Sequence, residues 1–402
     1  MLGFGPSPFV VLLASVLKPV DDTRMRGKFA ETLLERPHVR VHIAGRAAVS
    51  DPESDPESDE GSVHPCQQHR LYQHGLFRGS RLSLDRLVAQ WRYWQLLRRL
   101  RPDLVVVHAP ELLLLTLLWH WLGRRRKFLY DIRENYALNV STQQVYGGGV
   151  RRVLATGLRW VEGLAAGQAS GLLLAEASYA DELPFLHRLP ASRVVVLENK
   201  YQPACAEDQN SAPRQLPPPG QPLQLLYSGT ISVLNGVWEA VAVAQQLHTA
   251  WPGGIRLTVV GFCQQPQLLQ QLQATAAKHA AWLRLVGGTE PVPHARIVAE
   301  VAQSHLGLLP YRPHPSTERC RPTKLFEYLA HGLPMLVTPN PLWLEPVAKY
   351  GAGIALDFST PVDTPALIDH LLGCRFYPSG IPNEALWAGE GKKLWLLLDS
   401  IV

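Results

Sequence analysis

Short apolar runs alternate with amphipathic stretches along most of the chain. A continuous apolar run of this length is typical of a strand in a parallel sheet, which helices cover on both faces. We predict strands at residues 9–17, 39–43, 103–108, 128–131, 171–175, 194–197, 223–227, 255–260, 282–286, 305–311, 335–338 and 354–356. Helical spacing between them predicts helices at 28–35, 84–100, 153–167, 236–247 and 383–400. The alternation predicts an α/β fold.

A Pro-rich and Gln-rich stretch at 201–222 interrupts this pattern and predicts a linker. It separates an N-terminal domain, 1–200, from a C-terminal domain, 223–382. Within the first domain, residues 51–62 repeat the acidic sequence DPES and offer no apolar anchor. This stretch predicts a disordered insertion.

Composition narrows the class of protein. The 402 residues are enough for two domains, and a net charge of +5 is too mild to indicate nucleic-acid binding. The five cysteines are scattered and favour reduced thiols in a cytosol. No basic region precedes the first apolar run, so we interpret it as a strand and not as a signal peptide.

Polar residues follow several predicted strands of the first domain. The loop after the first strand supplies Asp21, Asp22 and Arg24, and a later strand end supplies His108 and Glu111. The next supplies Asp131, Glu134 and Asn135. Ligands of open α/β sheets bind where such strand ends meet. The alternatives are that the loop after the first strand is only a solvated loop and that His108 has a structural role.

The sequence of segment 319–334, RCRPTKLFEYLAHGLP, predicts a loop, a short helix and a tight turn. The free N–H groups at a helix start suit a phosphate. Lys324 and Glu327 share one helix face, where the cation suits a diphosphate and the carboxylate suits ribose hydroxyls. The alternative is an exposed Lys–Glu pair. The segment SGT at 228–230, followed by Gly236 and Gly261, predicts further backbone contact with phosphate.

The motif Pro322, Lys324-Leu-Phe-Glu-Tyr328, Gly332, Pro334 resembles the donor-binding motif of GT-B glycosyltransferases of the retaining, family 4-like, bacterial type. The resemblance implies two doubly wound Rossmann-like domains facing a cleft, with a terminal helix, 383–402, that returns to the first domain. It implies catalytic or acceptor-side roles in the first domain for Asp21, Asp22, Arg24, His108, Glu111, Asp131, Glu134 and Asn135. It implies donor binding by Gly229, Thr230, Gly236, Gly261, Arg319, Arg321, Thr323, Lys324, Leu325 and Glu327.

The chain departs from that family at three positions. The family carries a glutamate eight residues before the ribose-binding one, but here that position is Arg319, and Glu318 lies one residue further back. Asn235 stands where the family has a basic residue before the helix glycine, and Pro110 stands where many relatives have a histidine. The diphosphate charge would then rest on Lys324, Arg319, Arg321 and backbone N–H groups.

These observations predict transfer of a sugar from a nucleoside diphosphate donor to a glycan, lipid-linked or other hydroxyl acceptor. No D-x-D motif occurs in the sequence, so we expect no catalytic metal and no cofactor besides the nucleotide-sugar substrate. The alternatives are a sugar-nucleotide 2-epimerase and a partner protein that keeps the fold without the chemistry.

The predicted helix 84–100 carries Trp91, Trp94 and several arginines. A basic amphipathic helix with tryptophan can lie on an anionic membrane surface. In the alternative, the apolar stripe packs on the sheet and the arginines face water. The cysteines and the first apolar run predict a cytoplasmic protein. The helix adds the alternative of contact with the inner face of the cell membrane.

Overall fold

The computed structural model describes residues 8–47, 68–77, 85–123, 126–142, 148–203, 212–218, 220–315 and 317–401. The chain divides into two compact units. The first comprises Met1–Ala204 and Trp387–Val402, and the second comprises Cys205–Leu386. The predicted insertion 51–62 and part of the predicted linker, 204–211, lie outside the described residues.

The first unit is built on a parallel sheet. Its strands are β1 (Phe9–Pro19), β2 (Val39–Arg46), β3 (Leu71–Phe77), β4 (Leu104–Val107), β5 (Lys127–Ile132), β6 (Gly171–Leu174) and β7 (Val194–Val196). Their order across the sheet is β3-β2-β1-β4-β5-β6-β7, and each neighbouring pair is parallel. The order reverses between β1 and β4, which is where ligands of open α/β sheets bind.

Helices cover both faces of this sheet. They are α1 (Glu31–Leu34), α2 (Asp85–Leu100), α3 (Leu113–Trp121), α4 (Tyr136–Thr142), α5 (Gly148–Gln168) and α6 (Tyr179–Glu182). The chain moves across the sheet in one direction from β1 to β2 and in the opposite direction from β4 to β5. Because crossovers are right-handed, α1 and α3 lie on opposite faces.

The second unit has the same construction. Its strands are β8 (Leu223–Ile231), β9 (Ile255–Cys263), β10 (Leu283–Gly288), β11 (Leu306–Leu309), β12 (Met335–Val337) and β13 (Gly353–Ala355). They form a parallel sheet in the order β10-β9-β8-β11-β12-β13. The helices are α7 (Val237–Ala250), α8 (Pro266–Lys278), α9 (His294–Ala302), α10 (Thr323–Ala330), α11 (Pro341–Tyr350) and α12 (Thr364–Gly373).

The last helix, α13 (Ala388–Ile401), belongs to the first unit. Leu394, Leu397 and Leu398 are buried in one apolar cluster with side chains of β1, β2 and the α1 region. The indole of Trp387 donates a hydrogen bond of 2.9 Å to the Thr32 hydroxyl and fixes the start of this helix against α1. The C-terminal segment thus completes a core that begins with the first strand.

Four local predictions were wrong. Strand β3 was not predicted, because an edge strand with His74 and Gly75 lacks a continuous apolar run. The last helix begins at Ala388 instead of 383, since residues 383–385 form a separate 3-10 turn. The predicted helix 28–35 starts earlier, as a π-helical turn at Met25–Ala30. In α2, helical spacing predicted an apolar stripe of Leu87, Trp91, Trp94, Leu97 and Leu100, but Leu87 and Trp91 are exposed. Leu97 is buried as predicted, together with Tyr93 and Leu96.

Among the described residues, no helix combines the length and the apolar character needed to cross a bilayer. Cys263, Cys320 and Cys374 are free thiols.

Gly353 on β13 provides a test of strand packing in the second unit. A Cβ at this position would lie 2.0 Å from the Met335 carbonyl oxygen of β12, whereas a Cβ on Gly373 would meet nothing within 4 Å. We expect Gly353→Ala to lower the free energy of unfolding by about 1–3 kcal/mol, as overpacking does. Gly373→Ala, at the end of α12, should leave it unchanged or slightly higher. Urea denaturation of both variants measures the difference, and equal midpoints would contradict this packing.

Candidate active site

The carboxyl ends of β1 and β5 bring two ion pairs together in the first unit. The Asp22 carboxylate accepts one hydrogen bond from each terminal guanidinium nitrogen of Arg133, at 2.8 and 3.0 Å. It also accepts the backbone N–H groups of Arg24 and Met25, each at 3.1 Å, and so closes the turn after β1. Burial opposes ionisation of Asp22, but Arg133 and Lys18 outweigh it and lower the pKa of Asp22 to about 2.

The second ion pair is fully buried. Arg24 donates to both oxygens of Asp131 from Nε and Nη2, at 2.9 and 2.7 Å, and the two side chains are 1% and 0% exposed. Its third nitrogen donates to the Leu197 carbonyl and to Asn199. Burial opposes the charge on Asp131, but Arg24 and His108 dominate and hold the pKa of Asp131 well below its usual range.

His108 completes this group. Its Nδ1 lies 2.7 Å from Asp131 Oδ2. An ionised carboxylate only accepts hydrogen bonds, so Nδ1 carries the proton. Burial lowers the pKa of His108 although Asp131 raises it, so the ring is neutral and Nε2 bears a lone pair. Nε2 is buried, and no described residue offers it a hydrogen-bond partner.

The remaining first-domain candidates lie around this buried group. Glu134 pairs with Lys18 at 3.3 Å, and both side chains are partly exposed. Asn135 donates to Glu182 and accepts from Arg159. Glu111 pairs with Arg86 of α2, and Asp21 is exposed. The structure therefore brings Asp22, Arg24, His108, Asp131 and Glu134 to one edge of the sheet, with Glu111 bound sideways to a helix.

In the second unit, two glycines allow adjacent strands to approach closely. Gly229 of β8 is paired with Gly261 of β9, and both have positive φ. A Cβ on Gly261 would lie 1.6 Å from the Gly229 carbonyl oxygen. Gly236, at φ +77°, precedes α7, and a Cβ there would lie 1.7 Å from the Pro310 carbonyl oxygen. Only glycine fits the close approaches at Gly261 and Gly236, so the sheet edge presents bare backbone.

Helix α10 supplies the charged groups beside this backbone. A Cβ on Gly229 would lie 3.1 Å from Cε of Lys324, so the lysine lies over the glycine. Lys324 Nζ is 2.5 Å from Glu327 Oε2, and His294 Nε2 is 2.8 Å from Glu327 Oε1. Glu327 is 3% exposed. Burial opposes its ionisation, but Lys324 and His294 lower the pKa of Glu327 to about 2.

The other donor-side candidates have different environments. Thr323 and Arg319 are exposed, and the Thr230 carbonyl accepts hydrogen bonds from Tyr227 and Asn235. Arg321 binds Glu345 and the Leu342 carbonyl of α11, so its charge is partly neutralised there. Leu325 is fully buried, so its side chain packs in the interior and is not presented to a ligand. Pro322 precedes the first helical residue and is not part of the first turn.

Three residues at these sites were not predicted: Arg133, Asn199 and His294. Arg133 and His294 follow the carboxyl ends of β5 and β10, and the rule that selected their neighbours also applies to them. Asn199 follows β7, yet nothing in the sequence indicates that it receives a hydrogen bond from Arg24, because these residues are far apart in the chain. In the described part of the chain, no group of three or more His, Cys, Asp or Glu residues is arranged to hold a metal ion.

Residues 26–200 match the family model described as a glycosyl transferase 4-like domain. No curated protein sequence matches the chain.

Many solved structures resemble the whole chain, and three of them illustrate the likeness. Sucrose-phosphate synthase from Thermosynechococcus elongatus is 14% identical, with 98% of each chain covered and a TM-score of 0.61. A lipopolysaccharide outer core galactosyltransferase is 12% identical, with 98% of this chain and 99% of that chain covered and a TM-score of 0.56. A putative UDP-N-acetylglucosamine 2-epimerase from Listeria monocytogenes is 12% identical, with 98% of this chain and 96% of that chain covered and a TM-score of 0.57. The predicted pair of parallel α/β domains is thereby confirmed: the chain has the GT-B fold, and its residues 26–200 match the glycosyl transferase 4-like domain.

Proposed function

We propose that this protein transfers a sugar from a nucleoside diphosphate sugar to a hydroxyl group, with retention and without a metal ion. The observation that carries the proposal is the arrangement of Lys324 and Glu327 beside the bare backbone of Gly229. A cation next to glycine backbone suits a diphosphate, and a buried ionised carboxylate suits the paired hydroxyls of a ribose.

The second unit would bind the donor in this scheme. Glu327 uses one bond from each oxygen, to Lys324 and His294, while a carboxylate offers about four lone-pair positions. Two ribose hydroxyls can therefore donate to it without displacing either partner. The backbone N–H groups at the start of α10 and the charge of Lys324 would stabilise the departing diphosphate.

The first unit would bind the acceptor. In the transfer step the bond between the sugar C1 and the phosphate oxygen breaks, and a bond from the acceptor oxygen to C1 forms. The acceptor proton passes to the leaving phosphate oxygen or to a carboxylate. Glu134 is ionisable and partly exposed, so it is better placed for this contact than the buried Asp131. We assign Asp131 a positioning role, because its two oxygens already hold Arg24 and His108.

The acceptor would be a glycan, a lipid-linked sugar or another hydroxyl compound. The neutral Nε2 of His108 can accept a hydrogen bond, since Asp131 fixes the proton on Nδ1. Any hydroxyl that reaches this buried nitrogen would be held by one specific acceptor atom. A small local opening next to Phe29, whose ring meets the imidazole edge-on at 5.1 Å, would be required.

Glu327→Gln tests the donor site. We expect it to weaken binding of the preferred nucleotide sugar by about 1.5–3 kcal/mol, the scale for hydrogen bonds to a charged group. A thermal-shift panel of UDP, ADP and GDP sugars identifies the donor, because a ligand that binds only the folded state raises its stability. Calorimetry then compares the variant with Glu384→Gln, an exposed carboxylate of the same unit. A folded Glu327→Gln protein with unchanged affinity would refute the assignment.

Glu134→Gln tests the acceptor side. Its partly exposed pair with Lys18 contributes little to stability, so the variant should fold. We expect turnover to fall about tenfold or more, which is within the range for a positioned acid–base group, while donor affinity stays unchanged. Glu35→Gln, an exposed carboxylate in the same unit, serves as the control. Intact turnover, or a parallel loss of donor binding, would rule out this division of roles.

Asp131→Asn tests the positioning role through stability. The folded pKa of Asp131 is depressed, so its ionisation stabilises the protein above the unfolded pKa of about 3.9, and this stabilisation is lost as pH falls towards the folded pKa. We expect the variant to lose about 3–5 kcal/mol near neutral pH, because Arg24 is left buried without its partner. Its stability should also fall less steeply below about pH 4. Urea unfolding measured across pH, with Asp21→Asn as control, checks both expectations. If the variant and the wild type lost stability equally steeply in acid, the pairing of Asp131 with Arg24 would be contradicted.

A further inference from the structure

Large apolar side chains are exposed on one set of helices in the first unit. Most of the exposed large hydrophobic residues in the described part of the chain lie on or directly after α2, α3 and α5. We call these side chains the helical face: Leu87, Val88 and Trp91; Leu114, Leu118, Trp121 and Leu122; Val150, Val153, Leu154 and Trp160. Helix α3 contacts both α2 and α5, so the three helices are neighbours.

Helix α3 shows that this exposure has a pattern. Leu113 and Leu117 are buried against the sheet, as the inner stripe of a covering helix should be. Leu114, Leu118 and Trp121 recur at helical spacing on another side of the helix and are exposed. A helix that is apolar on its outer stripe too has more apolar surface than its own sheet can cover. Exposed apolar side chains gathered on neighbouring helices in this way indicate an interaction site.

The charge around the helical face has one predominant sign. Arg92, Arg98 and Arg99 of α2 are exposed, as is Arg152 of α5. Asp85 is the single exposed acidic residue among the described residues of the three helices. Glu162 of α5 is fully buried and accepts hydrogen bonds from Tyr130 and Arg159. The surface therefore combines apolar and cationic side chains and is nearly free of carboxylates.

Each of the three helices also exposes a tryptophan. Trp91, Trp121 and Trp160 are 60%, 56% and 67% exposed. Tryptophan is enriched at the boundary between lipid headgroups and acyl chains, where its ring is partly buried and its N–H stays hydrated. Arginine side chains beside it suit anionic headgroups.

We propose that the helical face docks this protein on an anionic phospholipid bilayer. The sequence indicated membrane contact by the helix 84–100 as one alternative, whereas the helical face spans three helices. A second copy of the chain is a poorer occupant, because a two-fold interface would set these arginines against one another. The inference goes beyond the proposed transfer reaction and needs no activity for its test.

Sedimentation of the full chain with lipid vesicles tests the proposal. We expect binding to vesicles that contain phosphatidylglycerol, and weaker binding to phosphatidylcholine alone. Binding should fall with added salt, because charge attraction is screened over about 8 Å at physiological ionic strength. No binding to phosphatidylglycerol vesicles at low salt would overturn the proposal.

Matched variants locate the contact. The triple change Trp91→Gln, Trp121→Gln and Trp160→Gln should weaken vesicle binding at least tenfold. Leu87→Gln with Leu122→Gln should weaken it measurably, whereas Leu372→Gln with Leu396→Gln should not, although the last two leucines are also exposed. All the substituted side chains point away from the interior, so the variants should fold. Equal losses in the two leucine variants would contradict a specific face.

Charge variants and oligomeric state complete the test. Arg98→Gln with Arg99→Gln should weaken binding to phosphatidylglycerol vesicles by about fivefold for each arginine, and leave binding to phosphatidylcholine unchanged. Analytical ultracentrifugation without lipid tests the alternative that a second copy of the chain covers the helical face. The wild-type protein could prove to be a dimer that does not bind vesicles and that the triple tryptophan change converts to a monomer. That result would assign the helical face to self-association and overturn the proposed docking on a bilayer.

Discussion

The buried pair of Arg24 and Asp131 is the interaction on which the first unit depends. A buried ion pair is tolerated only when its geometry is good and the remaining hydrogen-bonding groups are satisfied. Here the guanidinium spans both carboxylate oxygens and also reaches the Leu197 carbonyl and Asn199. One side chain thus ties together the turn after β1, the end of β5 and the chain after β7. The position of His108 follows, because Asp131 holds its ring.

In the second unit, backbone packing has the corresponding role. Gly229 and Gly261 are opposite each other on β8 and β9, and no side chain fits between Gly261 and the Gly229 carbonyl. Lys324 covers the resulting bare backbone, and Glu327 stays ionised at 3% exposure because Lys324 and His294 hold its two oxygens. The lysine therefore has two functions, since it neutralises the carboxylate and adds positive charge beside the glycine backbone.

The sequence was informative about where the candidate sites lie, and less so about which atoms remain available. Apolar runs located most strands, and the rule that ligands bind at strand ends selected Asp22, His108 and Asp131. It gave no indication that Asp131 is fully buried, or that Arg321 is turned towards Glu345, because both pairings join residues distant in the chain. Strand β3 was missed because an edge strand is apolar on few positions. Leu325 was assigned to a ligand from its place in a motif, although its side chain fills the interior.

The availability of side-chain atoms also distinguishes two kinds of carboxylate at these strand ends. A carboxylate whose oxygens already hold buried cations, such as Asp131, cannot turn towards a ligand without leaving those cations unpaired, which costs several kcal/mol. A carboxylate at the margin, such as Glu134, whose partners are the partly exposed Lys18 and Asn139, can exchange the lysine for a ligand at lower cost. The fold therefore places rigidity at the centre of the first-unit cluster and adaptability at its edge. An acceptor that varies in structure would be met by the edge, while the buried pair keeps the imidazole of His108 in one orientation and one tautomer.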